Sequence, residues 1–148
     1  MKKIFMFVNV DWFFTSHRSP IAQAAKKKNI NMHVYTEFTK LHKKKKIIGY
    51  KLFKSPLRRS SRVVFHIFFD FIKAFILIKK GKPQLIHAVT IKPILLLGII
   101  ARLTSTPFIG SFSGLGPAFR ADNFLKKIRL MIIIKILIGS YHGRIIMA

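Results

Sequence analysis

Residues Lys3 to Val10, KIFMFVNV, carry apolar side chains at odd and even positions alike. A strand with that pattern has both faces buried, which is the signature of a central strand in a parallel sheet. The run is too short for a buried helix, and polar and aromatic residues follow it at once: Asn9-Val10-Asp11-Trp12-Phe13-Phe14-Thr15-Ser16-His17-Arg18-Ser19-Pro20. A buried strand leading through such a segment into a helix is the opening of a βαβ unit.

The rest of the chain alternates in the same way. Ser19 is the expected N-cap and Pro20 the first helical residue, with the helix over Ile21 to Lys28. Met32 to Thr36 reads as the second strand. Lys40 to Lys46 is a basic connection, and Ile47 to Phe53 a weak third strand near a sheet edge. Ser60 or Ser61 is placed to cap a helix over Arg62 to Lys80. The spacing of its polar residues Arg62, His66, Asp70, Lys73 and Lys80 puts them on one stripe of a helix whose remaining surface is apolar. Gln84 to Val89, Pro93 to Leu103 and Pro107 to Phe112 give strand, helix and strand. A last helix is expected over Asn123 to Ile138, and Gly143 to Met147 begins a sixth strand. The fold class is therefore α/β: a Rossmann-like three-layer domain, its open parallel sheet of about five or six strands covered by helices on both faces. The apolar ending Ile145-Ile146-Met147-Ala148 has no polar terminator and suggests a truncated chain.

Composition narrows the partners. The 148 residues suffice for one domain with a real core. Lys and Arg number 28 against 4 Asp and Glu, a formal charge of +24. That excess attracts phosphates, nucleic acid or an anionic membrane surface without saying anything about the fold. The absence of cysteine excludes disulfides and thiolate chemistry. Asp11, His17 and Arg18 interrupt what would have to be the apolar part of a signal peptide. Val63 to Ile78 is the strongest candidate membrane span, but His66, Asp70 and Lys73 lie inside it.

Three turns follow strands, and parallel strands present their carboxyl ends on one edge, where α/β sheets bind ligands. The first holds Asp11, His17 and Arg18; the second His87, Thr90 and Lys92; the third, Ser111 to Gly116, holds Gly114 and Gly116. A cation at an expected helix start can hold a phosphate, and a solvated turn is the competing reading for His17 and Arg18. Thr90 and Lys92 precede Pro93, so the same logic applies to them. Asp11 suits a substrate hydroxyl or an Asx-type turn equally well. Trp12, Phe13 and Phe14 either line a ligand path or pack beneath the sheet edge. Gly114 and Gly116 permit close backbone approach to a ligand or simply make a turn.

Taken together, Phe7 to Phe14, Ser16-His17-Arg18, Pro20-Ile21-Ala22, His87 to Pro93, Ala101-Arg102 and Ser113-Gly114-Leu115-Gly116 resemble the N-terminal domain of family 4 glycosyltransferases of GT-B architecture. The nearest look-alikes add sugars to lipid-linked O-antigen or capsule precursors. The resemblance implies an acceptor-side domain over residues 1–148, with the donor-binding domain absent. It also implies a hexosyltransferase-type reaction and a role for His87 near the donor sugar. Asp11, His17, Arg18, His87, Thr90, Lys92, Gly114 and Gly116 become the substrate-binding candidates, with no metal or cofactor expected. The implied partners are a nucleotide sugar and a lipid-linked glycan acceptor, an anionic membrane surface, and a separate chain carrying the second domain. The implied location is cytoplasmic, peripheral to the inner membrane.

This sequence departs from the family in two ways. Glu37 is its one glutamate, so the paired-glutamate motif of the second domain is missing. The first strand is not followed by the Gly-Gly turn of many relatives. The isolated chain is therefore expected to be inactive. The rival readings are a basic nucleic-acid- or membrane-surface-binding protein without enzymatic activity, and an orphaned fragment without function. Most aromatics lie inside apolar runs, which disfavours specific nucleic-acid recognition. Lys43 to Lys46 read most simply as a solvated loop; the alternative is that they lie, together with Lys26 to Lys28, against anionic headgroups, with apolar residues around Trp12 inserting.

Overall fold

The computed structural model describes residues 2–39, 51–58, 64–112 and 143–147. Strands β1 (Lys3–Val10), β2 (Asn31–Glu37), β3 (Lys51–Lys54), β4 (Leu85–Val89), β5 (Phe108–Phe112) and β6 (Gly143–Met147) form one sheet in the order β3-β2-β1-β4-β5-β6. Every adjacent pair is parallel. The helices are α1 (Asp11–Phe13), a π segment (Phe14–Arg18), α2 (Ser19–Lys27), α3 (Val64–Gly81) and α4 (Ile91–Leu103). The basic connection Lys40 to Lys46, Ile47 to Tyr50 of the expected third strand, Ser60, Ser61 and Arg62, Gly114 and Gly116, and the helix Asn123 to Ile138 lie outside the described residues.

Strand β1 explains the two-layered core. Its side chains alternate between faces. Phe5 and Phe7 join Ile86, Ala88, Ala74 and Ile78, with Ile94, Leu97 and Ile100 of α4, on one face. Met6 and Val8 join Met32, Val34 and the α2 residues Ala22 and Ala25 on the other. The sheet is thus a Rossmann-like α/β sheet with α2 on one side and α3 and α4 on the other. Gly81, the last residue of α3, lies against the Phe5 ring, which a Cβ there would overlap.

The first helix begins earlier than expected. Ser19 is not an N-cap: the helical run starts at Asp11 and is continuous to Lys27. Pro20 falls inside it, where a missing N–H ordinarily breaks the ladder. The chain answers with a π turn, in which the Ser19 N–H reaches back to the Phe14 carbonyl. Hydroxyls serve the loosened carbonyls: Thr15 Oγ1 donates to Asp11 O at 3.0 Å, Ser16 Oγ to Trp12 O at 2.9 Å, and Ser19 Oγ to Thr15 O at 2.8 Å. Helix α4 likewise starts at Ile91, two residues before Pro93, which sits in the first turn where no N–H is needed.

The stripe assigned to α3 is also corrected. Asp70 is fully buried, whereas Phe65, Phe68 and Phe69 are exposed. Asp70 turns inward because cations meet it there. Its Oδ2 accepts from the Arg58 backbone N–H at 3.0 Å, its Oδ1 from Arg58 Nε at 3.1 Å, and Lys92 Nζ stands 3.7 Å away. Among the described residues, no helix is long and apolar enough to cross a membrane.

Candidate functional site

The strand order reverses direction between β1 and β4, so their carboxyl ends flank the topological switch point where open α/β sheets bind ligands. The pairing of β1 with β2 slips between Val8 and Val10, leaving Asn9 out of the register. Such slips re-aim a side chain. Here the Asn9 carboxamide oxygen accepts a hydrogen bond from Thr90 Oγ1 at 2.8 Å, tying the ends of β1 and β4 together.

Thr90 is the most unusual residue of the site. Its backbone has φ 80° and ψ 158°, a region that is essentially reserved for glycine and costs about 1–3 kcal/mol. For a β-branched residue the conformation is a genuine outlier. It is held from three sides: by Asn9, by the Thr90 N–H donating to Ser111 O at 3.2 Å, and by its own carbonyl accepting from the Ile94 N–H at 3.0 Å. With its hydroxyl turned to Asn9, Thr90 makes no side-chain cap on α4. The first turn of α4 therefore presents backbone N–H groups at this edge.

His87 lies two residues before the end of β4, on the face covered by α2 because it alternates with Ile86 and Ala88. It is buried, and its Nε2 is 2.8 Å from Ser111 Oγ of β5. Burial, and after it the Arg18 guanidinium, push the imidazole down to about 4. His87 is thus neutral at physiological pH, beside a permanent cation. Arg18 is delivered by the last residue of the π segment, so β1, the π segment, β4 and β5 all contribute to one cluster.

The remaining candidates divide. Asp11 is buried at the same edge, and its carboxylate accepts from the Trp12 N–H at 2.8 Å, the Thr39 N–H at 3.0 Å and Thr39 Oγ1 at 2.7 Å. It joins the start of α1 to the segment after β2, the turn-building alternative. His17 is exposed, stacked on Phe13 with ring centroids 4.6 Å apart, its Nδ1 2.6 Å from Ser16 Oγ. Because the helix begins at Asp11, neither His17 nor Arg18 stands at a helix start, and the anion-site argument based on one fails for both. Lys92 belongs to the first turn of α4, but its ammonium donates to the Arg58 carbonyl and faces Asp70, on the opposite face of the sheet from His87. Trp12 is exposed while Phe14 is fully buried, so the aromatic trio splits between surface and core.

The structure therefore brings Arg18, His87 and Thr90 together, with Asn9 and Ser111 as partners that sequence reasoning had not singled out. Both lie in the turns that drew attention, but only pairing across strands distinguishes them from ordinary polar turn residues. Among the described residues, no three His, Asp or Glu side chains are grouped to hold a metal ion.

Comparison with known proteins bears on this arrangement. The chain is similar to a glycosyltransferase from Rickettsia africae, at 16% identity and TM-score 0.62, over 99% of this chain and 42% of that one. It is similar to MurG of Acinetobacter baumannii, at 13% identity and TM-score 0.55, over 90% and 39% respectively. A UDP-GlcNAc 2-epimerase from Neisseria meningitidis, solved bound to UDP-GlcNAc, aligns at 11% identity and TM-score 0.61, over 95% and 40%. This chain spans about two fifths of the length of these structures. No curated protein matches its sequence. Residues 3–140 match the family described as Glycosyl transferase 4-like, nearly the whole chain. The chain belongs to the Glycosyl transferase 4-like family.

Proposed function

We propose that this chain is the acceptor-side, N-terminal domain of a glycosyltransferase that moves a sugar from a nucleotide-sugar donor to a lipid-linked glycan in surface polysaccharide biosynthesis. The observation that carries the reading is the cluster of Arg18, His87 and strained Thr90 at the β1/β4 switch point. The Arg18 guanidinium beside His87, and the first turn of α4 starting at the same carboxyl edge of the sheet, both suit a phosphate, which the donor and a lipid diphosphate acceptor each carry. Neutral His87 adds a buried polar group that does not compete as a second charge. The 2-epimerase solved with UDP-GlcNAc has the same kind of fold, which favours a nucleotide sugar as one ligand.

In this reading the second domain supplies most donor contacts and closes the cleft, so the isolated chain binds without turning over. Its contribution is to orient the acceptor, and its site of action is the cytoplasmic surface of the membrane. Binding of a short-chain prenyl diphosphate sugar by titration calorimetry tests the proposal. Saturable binding that falls about tenfold in Arg18→Gln, while Lys92→Gln leaves it unchanged, is the expected result. Binding indifferent to Arg18, or transfer of sugar by the purified chain alone, would overturn it.

A further inference from the structure

Helix α3 contradicts the usual logic of a surface helix. Phe65, Phe68, Phe69 and Ile76 are 75%, 59%, 51% and 45% exposed. The spacing of Phe65, Phe69, Lys73, Ile76 and Lys80, by three or four residues, places them on one face. That face runs directly into a groove of about 700 Å³ between the second half of α3 and the sheet. The rings of Phe5, Tyr35 and Phe53 make its floor, and Lys54, Lys73 and Lys80 stand on its rim. The rings are packed against one another: Tyr35 is 5.0 Å from Phe5 edge-on and 5.3 Å from Phe53 in a stack. Among the described residues no carboxylate lines the groove, and the acidic residue of α3, Asp70, is buried against Arg58 and Lys92.

Two halves of one surface thus have different chemistry. The amino-terminal half of α3 offers aromatic rings to solvent; the carboxyl-terminal half offers exposed ammonium groups over an apolar floor. An anionic bilayer has the same two layers in the same proximity, phosphates over hydrocarbon. We infer that this face of α3 docks on an anionic phospholipid bilayer, with Phe65, Phe68 and Phe69 entering the interface and the lysine-rimmed groove receiving a lipid headgroup phosphate. The charge of the whole chain, +24, favours the same partner. The surface lies on the α3 face of the sheet, opposite the face that carries His87; its groove reaches towards the amino ends of β1 and β2, and its aromatic half begins beside Asp70. It deepens the membrane side of the function proposed above, and it is measured without sugar or acceptor. Failure here and failure of the acceptor titration are therefore separate results.

The test is sedimentation of the full chain with vesicles of phosphatidylcholine, with and without phosphatidylglycerol. Phe65→Ser combined with Phe69→Ser changes only exposed positions and is expected to weaken binding to phosphatidylglycerol vesicles by about tenfold or more. Lys54→Gln, Lys73→Gln and Lys80→Gln together are expected to cause a loss of about tenfold. The control is Lys26→Gln, Lys27→Gln and Lys28→Gln, which removes the same charge from exposed positions at the end of α2. It is expected to lose no more than about twofold, as a distant solvated charge should. Equal losses from the two lysine triples would overturn the assignment, as would undiminished binding of the phenylalanine variant. Complete displacement by duplex DNA, or a dimer in solution that the phenylalanine variant dissociates, would overturn it too. The first would make the attachment one of charge alone, the second an interface between copies.

Discussion

Two buried polar groups on opposite faces of the sheet make an instructive contrast. Asp70 lies among charges that attract it: the Arg58 guanidinium and the Lys92 ammonium. Together they fasten α3, the residues after β3 and the first turn of α4. His87 lies beside a charge that opposes its own protonation, and the neighbouring Thr90 is held in a backbone conformation unfavourable for its side chain. The first arrangement lowers the energy of the fold, while the second raises it and persists only because Asn9, Ser111 and α4 hold it. Local strain surrounded by such restraints gathers at functional sites. The contrast fits the proposed function, with ligand binding on the His87 side and scaffolding on the Asp70 side.

The most severe substitution that probes the contrast is Asp70→Ala. It leaves two cations facing each other over a buried void and is expected to cost about 2–3 kcal/mol in denaturant unfolding, less than the ~3–5 kcal/mol of a fully buried pair because Arg58 and Lys92 reach solvent. A loss below about 1 kcal/mol would show Asp70 to be incidental to the scaffold.

His87 should announce itself through pH. Its folded pKa, about 4, lies below the unfolded value of 6.5, so the unfolded chain takes up the proton first. The contribution of neutral His87 is full above pH 6.5 and is lost as pH falls towards 4. The predicted loss is about 3 kcal/mol over that window, read from unfolding midpoints at a series of pH values. His87→Gln should flatten the slope. A slope that survives the substitution would assign it to other groups.

The smallest effect separates strain from hydrogen bonding. Thr90→Gly and Thr90→Ala both lose the bond to Asn9, but only glycine relieves the backbone. The glycine variant should be the more stable of the two by about 1 kcal/mol in thermal unfolding, although glycine is ordinarily the more costly residue. The reverse order would remove strain from the account of this site.

Much of this was legible in the amino-acid order, for reasons that differ from place to place. Strand β1 ends where its two-faced apolar run ends, because a strand buried on both faces admits few polar substitutes, and β6 spans the segment expected for it. The start of the first helix was not legible. A serine followed by proline is a sound N-terminal signal, and only the Thr15, Ser16 and Ser19 hydroxyls, acting on carbonyls four residues back, allow the proline inside. The face of α3 was misread because periodicity reports which residues are polar, not whether a carboxylate will meet a guanidinium that arrives from elsewhere in the chain. Positions Arg18, His87 and Thr90 could be marked from the turns they occupy. The conformation of Thr90 and the pairing with Asn9 and Ser111 depend on strands distant in sequence, and no local pattern encodes them.

The π segment imposes a rule of phase. Adding or removing one residue turns the rest of an α-helix by about 100°. The extra residue within Phe14–Arg18 thus sets the rotation at which Ala22 and Ala25 meet the sheet and the angle at which Arg18 arrives beside His87. A chain shortened here by one residue could rebuild a regular helix, but it would keep either the packing or the arginine, not both. Core and site are indexed to the same turn of backbone, so neither can drift without the other.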